Sequence, residues 1–375
     1  MNWLASTMKN NKADVIIIGG GIQGCSTAWN LASQGISCIV LEKDHVARHA
    51  SGVNAGGVRR LGRHLAEVAL SQRSSEIWNQ LNELLDADTG FKPSRQIKVA
   101  ESDADMVALN DRVQSVRSMG FNHEVMIDQK MLRSLLPAVS SHCVGGILVE
   151  GDGSAIPFKA TTAFARAARL KGAQILEGHA VTAISSIGSG WEVDTPQGSF
   201  SSQILVNCAG AWGDKIAQMV GDTIPLIPSA LMLMITQRMP KFMEGVVGAE
   251  KRPLSFKQFE NGTVLIGGGS KGFSDIDNNL AHVDMHGLAQ YAKNATAIFP
   301  IMNQARIVRS WAGLEGVTPD QIPVLGAGSK PGLFHAFGFS AHGFQLGPVI
   351  GETLALLIQG KPLPFSIEQL RYNRF

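Results

Sequence analysis

The sequence predicts an α/β fold in which a Rossmann-like domain is interleaved with an α+β domain carrying a large antiparallel sheet. Three observations predict it. Residues 14–18 (DVIII) are a short β-branched run of the kind buried on both faces of a parallel sheet. That run passes directly into Gly19, Gly20, Gly21 and Gly24, then into an apolar helical stretch that Gly35 closes. Similar buried runs return at 204–210 and 332–337, whereas the segments between them are richer in strand signals. The first domain is therefore expected to be discontinuous, over 13–90, 150–215 and 310–375. The second is expected over 91–149 and 216–309.

Each element follows in order. Residues 36–41 read as a second buried strand ending at Glu42, which completes a βαβ unit. Residues 48–60, RHASGVNAGGVRR, are a Gly- and Asn-rich loop, and 65–85 a helix. The stretch 91–150 mixes short strands with a helix and contains Pro93 and Pro137. A helix at 161–171 stops at Gly172. Strands at 173–176 and 181–184 and a hairpin at 191–195 and 198–202 lead to the buried run at 204–210. Alternating strands with one helix, 285–298, fill 216–309. The strand at 332–337 precedes a glycine loop, FGFSAHGFQLGP, and a last helix at 350–358.

Composition excludes several classes. The chain has 375 residues, 45% hydrophobic and 17% charged, a globular balance. A formal net charge of +2 leaves no cationic excess for a nucleic-acid backbone. The four cysteines, at 25, 38, 143 and 208, show no CxxC spacing, so no disulfide framework, zinc ribbon or iron–sulfur site is expected from this chain, and no metal. Residues 1–12 are mostly polar, unlike a signal peptide, and the longest apolar run, 224–235, is interrupted by Pro225 and Pro228. The expectation is a cytoplasmic protein without a transmembrane segment.

The glycines after the first strand fit GxGxxG, and their context gives the match its meaning. Gly19 permits a tight turn, Gly21 lets backbone approach a pyrophosphate, and Gly24 allows close helix–sheet packing. The helix N-terminus then faces the anion. Glu42 at the end of the next strand can accept both hydroxyls of an adenosine ribose. A second match at 267–272 is followed by a loop-like stretch, FSDIDNN, and no acid-tipped strand, so it reads as a turn.

The first motif serves NAD and FAD alike. Four further segments, RHASGVNAGG (48–57), ILVNCAGAW (204–212), RSWAGLEGVTPDQIPVLG (309–326) and GLFHAFGFSAHGFQLGP (332–348), resemble the D-amino-acid oxidase superfamily of FAD enzymes. The likeness covers nearly the whole chain and looks nearest to the β subunits of heteromeric opine and D-hydroxyproline dehydrogenases. It implies FAD contacts at Ile22 and Gln23 beside Gly19, Gly21 and Gly24, with Glu42 and Lys43 at the adenosine. It implies that Arg48, Ala50, Ser51, Ala55, Gly56 and Gly57 wrap the pyrophosphate and flavin, and that Val181 holds adenine through its backbone. Ala209, Gly210 and Trp212 would line the middle of the cofactor. Ser340, Ala341, His342, Gly343, Phe344, Gln345 and Leu346 would lie under the pyrimidine ring, where a helix start can stabilise an anionic reduced flavin.

The chain also departs from the family pattern. The substrate-carboxylate arginine of the WAGLRP segment is replaced by Glu315, and a second family arginine by Ala341. Arg60 and Arg63 are the replacement candidates, because related sarcosine oxidases hold a carboxylate with a similar Arg-x-x-Arg and guanidinium forks suit carboxylates. The bland alternative for that pair is a solvated helix start. His342 is expected either to orient substrate and tune the flavin or simply to bond backbone. The strand expected to carry an oxygen-activating lysine, 263–266, has none, which favours a dehydrogenase over an oxidase. Asn54 stands where some relatives carry a flavin-linking histidine, so FAD is expected to be non-covalent, with His49 the nearest histidine. The resemblance therefore implies oxidation of a secondary amine or amino acid of the opine, D-hydroxyproline, proline or sarcosine type by hydride transfer to flavin. Electrons would pass to an α partner and small iron–sulfur or redox subunits, with FMN at an interface in some such complexes. The rivals are an H2O2-forming oxidase and an electron-relay subunit whose partner does the catalysis.

Overall fold

A computed structural model describes residues 11–375; most of the polar N-terminal stretch, residues 1–10, lies outside the described residues. The first strand, Lys12–Ile18, forms the spine of an eight-stranded sheet. It pairs in parallel with Cys38–Leu41 on one side and Gly198–Asn207 on the other. Gln174–Leu176 and Leu333–Phe337 extend the parallel set outward, and Val324–Ala327 closes one edge antiparallel. Val15, Ile16 and Ile17 are fully buried, as a strand covered on both faces requires. Four helices, Ile22–Ala32, Val68–Leu85, Pro157–Leu170 and Gly343–Ile358, pack together over one face of this sheet in a single apolar cluster.

The second sheet has eleven strands, mostly antiparallel. Its register sorts side chains by a period of two. Ile97, Val247, Phe256, Ile266 and Met234 align across five strands and point into one core, where Phe256 stacks on Phe299 at 4.9 Å. Helix Met285–Ile298 covers that face with Leu288, Tyr291, Ala295 and Ile298. The next row, Lys98, Gly248, Ser255 and Gly267, points the opposite way. Three of its four side chains are minimal, so this face leaves open volume above the first domain.

The interleaved α/β architecture matches the sequence expectation, with differences of detail. Gly57–Val58 pairs with Gly145–Ser154 in the second sheet, although the sequence pattern puts residue 57 in the first domain. Strands Gly145–Ser154 and Ile307–Val317 also cross the expected boundaries at 150 and 310 and belong to the second sheet. Gly198–Asn207 is one continuous strand rather than a hairpin arm and a separate run. The second glycine motif joins two strands, Val264–Gly267 and Lys271–Asp275, and opens no helix.

The largest correction concerns the last helix. It begins at Gly343, seven residues before the expected start, and runs through Pro348. Its glycines are contact points, not loop breakers. A Cβ on Gly347 would lie 2.7 Å from Ile22, and one on Gly351 only 2.2 Å from the Ser26 hydroxyl. The Ser26 hydroxyl donates to the Pro348 carbonyl at 3.3 Å, so the two helices touch backbone to side chain. Replacing Gly351 with valine is expected to cost at least 1–3 kcal/mol through overpacking. A urea midpoint equal to the parent's would contradict that reading.

Candidate active site

Between the two sheets lies a cavity of about 870 Å³, at the upper end of the ordinary size for a cofactor or ligand site. Its floor is built by the glycine turn. Gly19 has φ +109°, and a Cβ there would sit 2.4 Å from the Cys208 carbonyl oxygen. A Cβ on Gly24 would meet the Gly19 carbonyl at 2.0 Å. These two glycines bring the helix start against the strand ends. The first turn of helix Ile22–Ala32 holds no acidic residue, and Gly21 offers no side-chain cap, so its amides suit an anion. Ser51 reaches over to accept the Ile22 N–H at 3.0 Å, which ties the 48–57 loop to this turn.

Glu42 stands at the end of the second strand, 7% exposed. Its two carboxylate oxygens accept the Gly20 N–H at 2.5 Å and the Asp44 N–H at 2.8 Å. Burial pushes its pKa up, while these bonds pull it back. Each oxygen keeps lone-pair capacity for a ribose hydroxyl. Beside it, the Lys43 ammonium lies 3.4 Å over the Trp212 ring and bonds Asn279. The Trp212 indole N–H donates to the Ile276 carbonyl, so the 276–279 turn of the second domain rests on this end of the cavity. His49 is held by Asp44 at 2.7 Å and packs against Trp212 at 4.7 Å. Asn54 bonds Ala50 and the Gly56 N–H, and so shapes its own loop.

The residues expected to meet the cofactor fall into two groups. Gly19, Gly21, Gln23, Glu42, Lys43, Arg48, Ala50, Ser51, Ala55, Gly57, Val181, Ala209, Gly210, Trp212, Ala341, Gly343 and Phe344 line the cavity. Ile22, Gly24, Gly56, Ser340, Gln345 and Leu346 do not; they lie behind the lining, where they set its shape. Gly56, at φ +70°, would place a Cβ 2.2 Å from the Ala155 carbonyl. Ser340 and Ala341 both take left-handed backbone, φ +50° and +70°, a strained pair immediately before the last helix. Ser340 is fixed there by its N–H to Gly316 and by the Thr318 N–H donating to its hydroxyl.

The two arginines part company. Arg60 is committed elsewhere: its Nε meets Asp152 at 3.0 Å, and its other nitrogens donate to Gln72 and to the Glu150 carbonyl. It does not line the cavity. Arg63 does, although only 2% of it is exposed. Its Nε donates to the Arg59 carbonyl and its Nη2 to Gln345, while Nη1 has no partner. Burial, then the neighbouring Arg59 charge, pushes its pKa down to about 9, so it remains cationic at neutral pH.

His342 lines a smaller side cavity of about 500 Å³, which it shares with Arg63. Its Nδ1 lies 2.8 Å from the Glu67 carboxylate. Burial drives the His342 pKa down to about 4. Burial alone would raise Glu67, but the His342 bond and the Arg63 and Arg59 charges outweigh it and hold Glu67 below the usual carboxylate range. A neutral His342 facing an ionised Glu67 must carry its proton on Nδ1, which leaves Nε2 as an acceptor. Glu315 lines the main cavity and accepts the Ala341 N–H at 3.2 Å. Sequence reasoning missed the roof: Gln96, Lys98, Gly248 and Ser255 enter from the second sheet without any motif, and Gly267 belongs to the second glycine match that read only as a turn. Only the two-residue period of those strands carried a signal.

Comparisons with known proteins identify the family. The model of the FAD-dependent oxidoreductase family matches residues 14–357. The chain belongs to that family. It is 27% identical to hydrogen cyanide synthase subunit HcnC of Pseudomonas aeruginosa, over 98% of this chain and 97% of that one. It is 26% identical to an opine oxidase subunit of Rhizobium meliloti, over 92% of each. The solved structure of L-proline dehydrogenase from P. horikoshii superposes with a TM-score of 0.91 at 27% identity, over 98% of both chains. These likenesses support an FAD-dependent oxidoreductase of the amine and amino-acid type. They give no support to an FMN at a subunit interface. No helix among the described residues is long and apolar enough to cross a membrane.

The residues present fit FAD: a glycine cradle, a helix start free of acid, and a cavity-lining Glu42 with spare acceptor capacity at the end of the second strand. Glu42→Ala removes a charge-assisted acceptor worth about 1.5–3 kcal/mol. FAD affinity is expected to fall roughly 10- to 100-fold. Fluorescence titration of the apoprotein with FAD checks this, and an unchanged Kd would remove Glu42 from the ribose site.

Proposed function

We propose that the chain is an FAD-dependent dehydrogenase of secondary amines or amino acids, of the opine, D-hydroxyproline, proline or sarcosine type. The observation that carries the reading is Arg63: a buried guanidinium with one unpartnered nitrogen, lining the same cavity as the glycine cradle. A buried charge with an open donor costs free energy unless a ligand completes it, and a carboxylate is the natural complement. Arg60 is saturated by Asp152, Gln72 and the Glu150 carbonyl, so of the two candidates Arg63 takes the substrate carboxylate. Bound FAD would supply the hydride acceptor for the carbon next to nitrogen, and water would hydrolyse the resulting imine. The protein's own contributions are anchoring at Arg63 and desolvation by the roof of the second sheet. Neutral His342, steadied by Glu67, offers an acceptor beside the expected flavin edge.

The FAD is read as non-covalent, because Asn54 takes the linking position and His49 is engaged with Asp44 and Trp212. Electron transfer to partner subunits is supported by two relatives that are themselves named as subunits. The strand Val264–Gly267 carries no lysine, and Lys98 in the cavity roof is paired with Glu250 at 2.7 Å, which supports it further. The competing reading is an oxidase that returns electrons to O2.

Two measurements bear on this. Arg63→Lys keeps the charge but loses the planar fork, and substrate KM is expected to rise tenfold or more, while Arg60→Lys stays within a few fold. Equal effects of the two variants would displace Arg63. In the second, secondary amino acids are screened anaerobically for bleaching of the flavin, and the reduced protein is then offered O2 or an artificial dye. Dye reduction without stoichiometric peroxide is expected; fast turnover on O2 by this chain alone would establish the oxidase instead.

A further inference from the structure

Glu315 is a carboxylate where an amino-acid site usually needs a cation, and its setting is unusual. It sits near the end of strand Ile307–Val317, opposite Ser229, and lines the main cavity together with Arg63. Among the described residues its carboxylate has one hydrogen bond, Oε1 accepting the Ala341 N–H at 3.2 Å. No cation among them pairs with it. The strand packed alongside, Ile227–Thr236, holds no titratable residue, nor do the turns Ala50–Val53 and Gly210–Trp212. Strand Leu280–His282, which also packs on Ile307–Val317, brings His282, and the segments bordering these elements carry Arg48, His49, Asp214, Lys215 and His342. Of these, His49 is bound to Asp44 and His342 to Glu67.

The chemistry of the substrate gives such a group a task. Secondary amines are ammonium ions at neutral pH, and a carbon next to an ammonium cannot release hydride, because the nitrogen lacks the lone pair that forms the C=N bond. Resting on the amine-oxidising reading above, we propose that Glu315 is the base that takes the N–H proton of the substrate ammonium while Arg63 holds its carboxylate. The N–H bond breaks, its electron pair stays on nitrogen, and the proton forms an O–H bond on Glu315. The site thereby converts a zwitterion into an amine carboxylate, with opposite protein charges meeting its two ends. Burial lifts the Glu315 pKa to about 7, only partly offset by the Ala341 N–H, so the group can both accept the proton and return it near neutral pH. The strained Ser340–Ala341 backbone is consistent with this placement, since the Ala341 amide aims at Glu315 while Gly343 and Phe344 of the following helix start line the same cavity.

The test uses the FAD-loaded protein with Glu315→Gln and Glu315→Asp. Gln keeps an acceptor for the Ala341 N–H but cannot take a proton. L-proline and sarcosine are the electron donors, and flavin bleaching is followed anaerobically across pH. In the parent the rate should rise as pH passes about 7, where the base form appears. In Glu315→Gln it should fall at least about 100-fold at neutral pH, with its rise moved alkaline toward the alkylammonium range, roughly 10. Glu315→Asp should restore part of the rate. A second readout needs no turnover: binding of 2-aminoisobutyrate, an ammonium carboxylate with no C–H on any carbon next to nitrogen, and of 2-hydroxyisobutyrate, its counterpart with an uncharged hydroxyl in place of the ammonium, followed by flavin absorbance. Glu315→Gln should weaken only the first. A parental pH profile in Glu315→Gln, or equal weakening of both ligands, would overturn the proposal and leave Glu315 as a brace for the Ala341 loop. A parent that no amine bleaches would instead overturn the amine-oxidising reading itself, and the proposal with it.

Discussion

Close backbone approach around the first helix is the constraint on which the rest of the molecule depends. Ile22–Ala32 must lie against the strand ends on one side and against Gly343–Ile358 on the other. Gly19 and Gly24 permit the first contact, and Gly347 and Gly351 the second, because a Cβ at any of the four would overlap existing atoms. The same packing carries Gln23 to the Gly343 carbonyl at 2.8 Å. The two ends of the chain, 320 residues apart in sequence, therefore meet at the same edge of the cavity. Were this contact looser, the glycine turn and the last helix start could not face one ligand together.

From that scaffold follows a cavity lined by one domain's backbone and the other domain's small side chains. The second sheet turns bulky residues into its own core and presents Gly248, Ser255 and Gly267 to the cavity. Volume for a ligand is thus a consequence of strand register, since a shift by one residue would move Val247 and Phe256 into the space. The strained Ser340–Ala341 pair persists because Gly316, Thr318 and Glu315 bond its backbone and hydroxyl.

Electrostatics then separate the charged groups by role. Arg60 with Asp152 and Arg73 with Glu352 are closed pairs whose partners satisfy them. Arg63 and Glu315 are different: Arg63 is buried and Glu315 half-buried in the cavity wall, and both lack a full set of partners. Burial acts on them in opposite directions, lowering the guanidinium and raising the carboxyl, as it must for a cation and an acid. Glu67 and His342 form a third arrangement, in which a carboxylate fixes the tautomer of a neutral imidazole. Such incompletely solvated charges are characteristic of sites that bind or transform a ligand.

Much of this was legible in the sequence, because it depends on local pattern. The β-branched run, the four glycines and Glu42 are neighbours along one βαβ unit, so their spacing alone defined the turn, the helix start and the acid at the end of the next strand. The interleaving of two domains also showed, as buried strands recurring at the start, middle and end. What sequence could not supply were facts created by distant contacts. Arg60 and Arg63 are three residues apart and chemically equal in the sequence; only Asp152, on a strand some ninety residues away, takes one out of the site and leaves the other in it. The glycines of the last segment read as a loop because their helical packing partner lies at the other end of the chain. Glu315 read as the loss of a clamp, since its desolvation exists only once two sheets enclose it. Local pattern determined the cofactor cradle, and tertiary burial decided which charged side chains are available for chemistry.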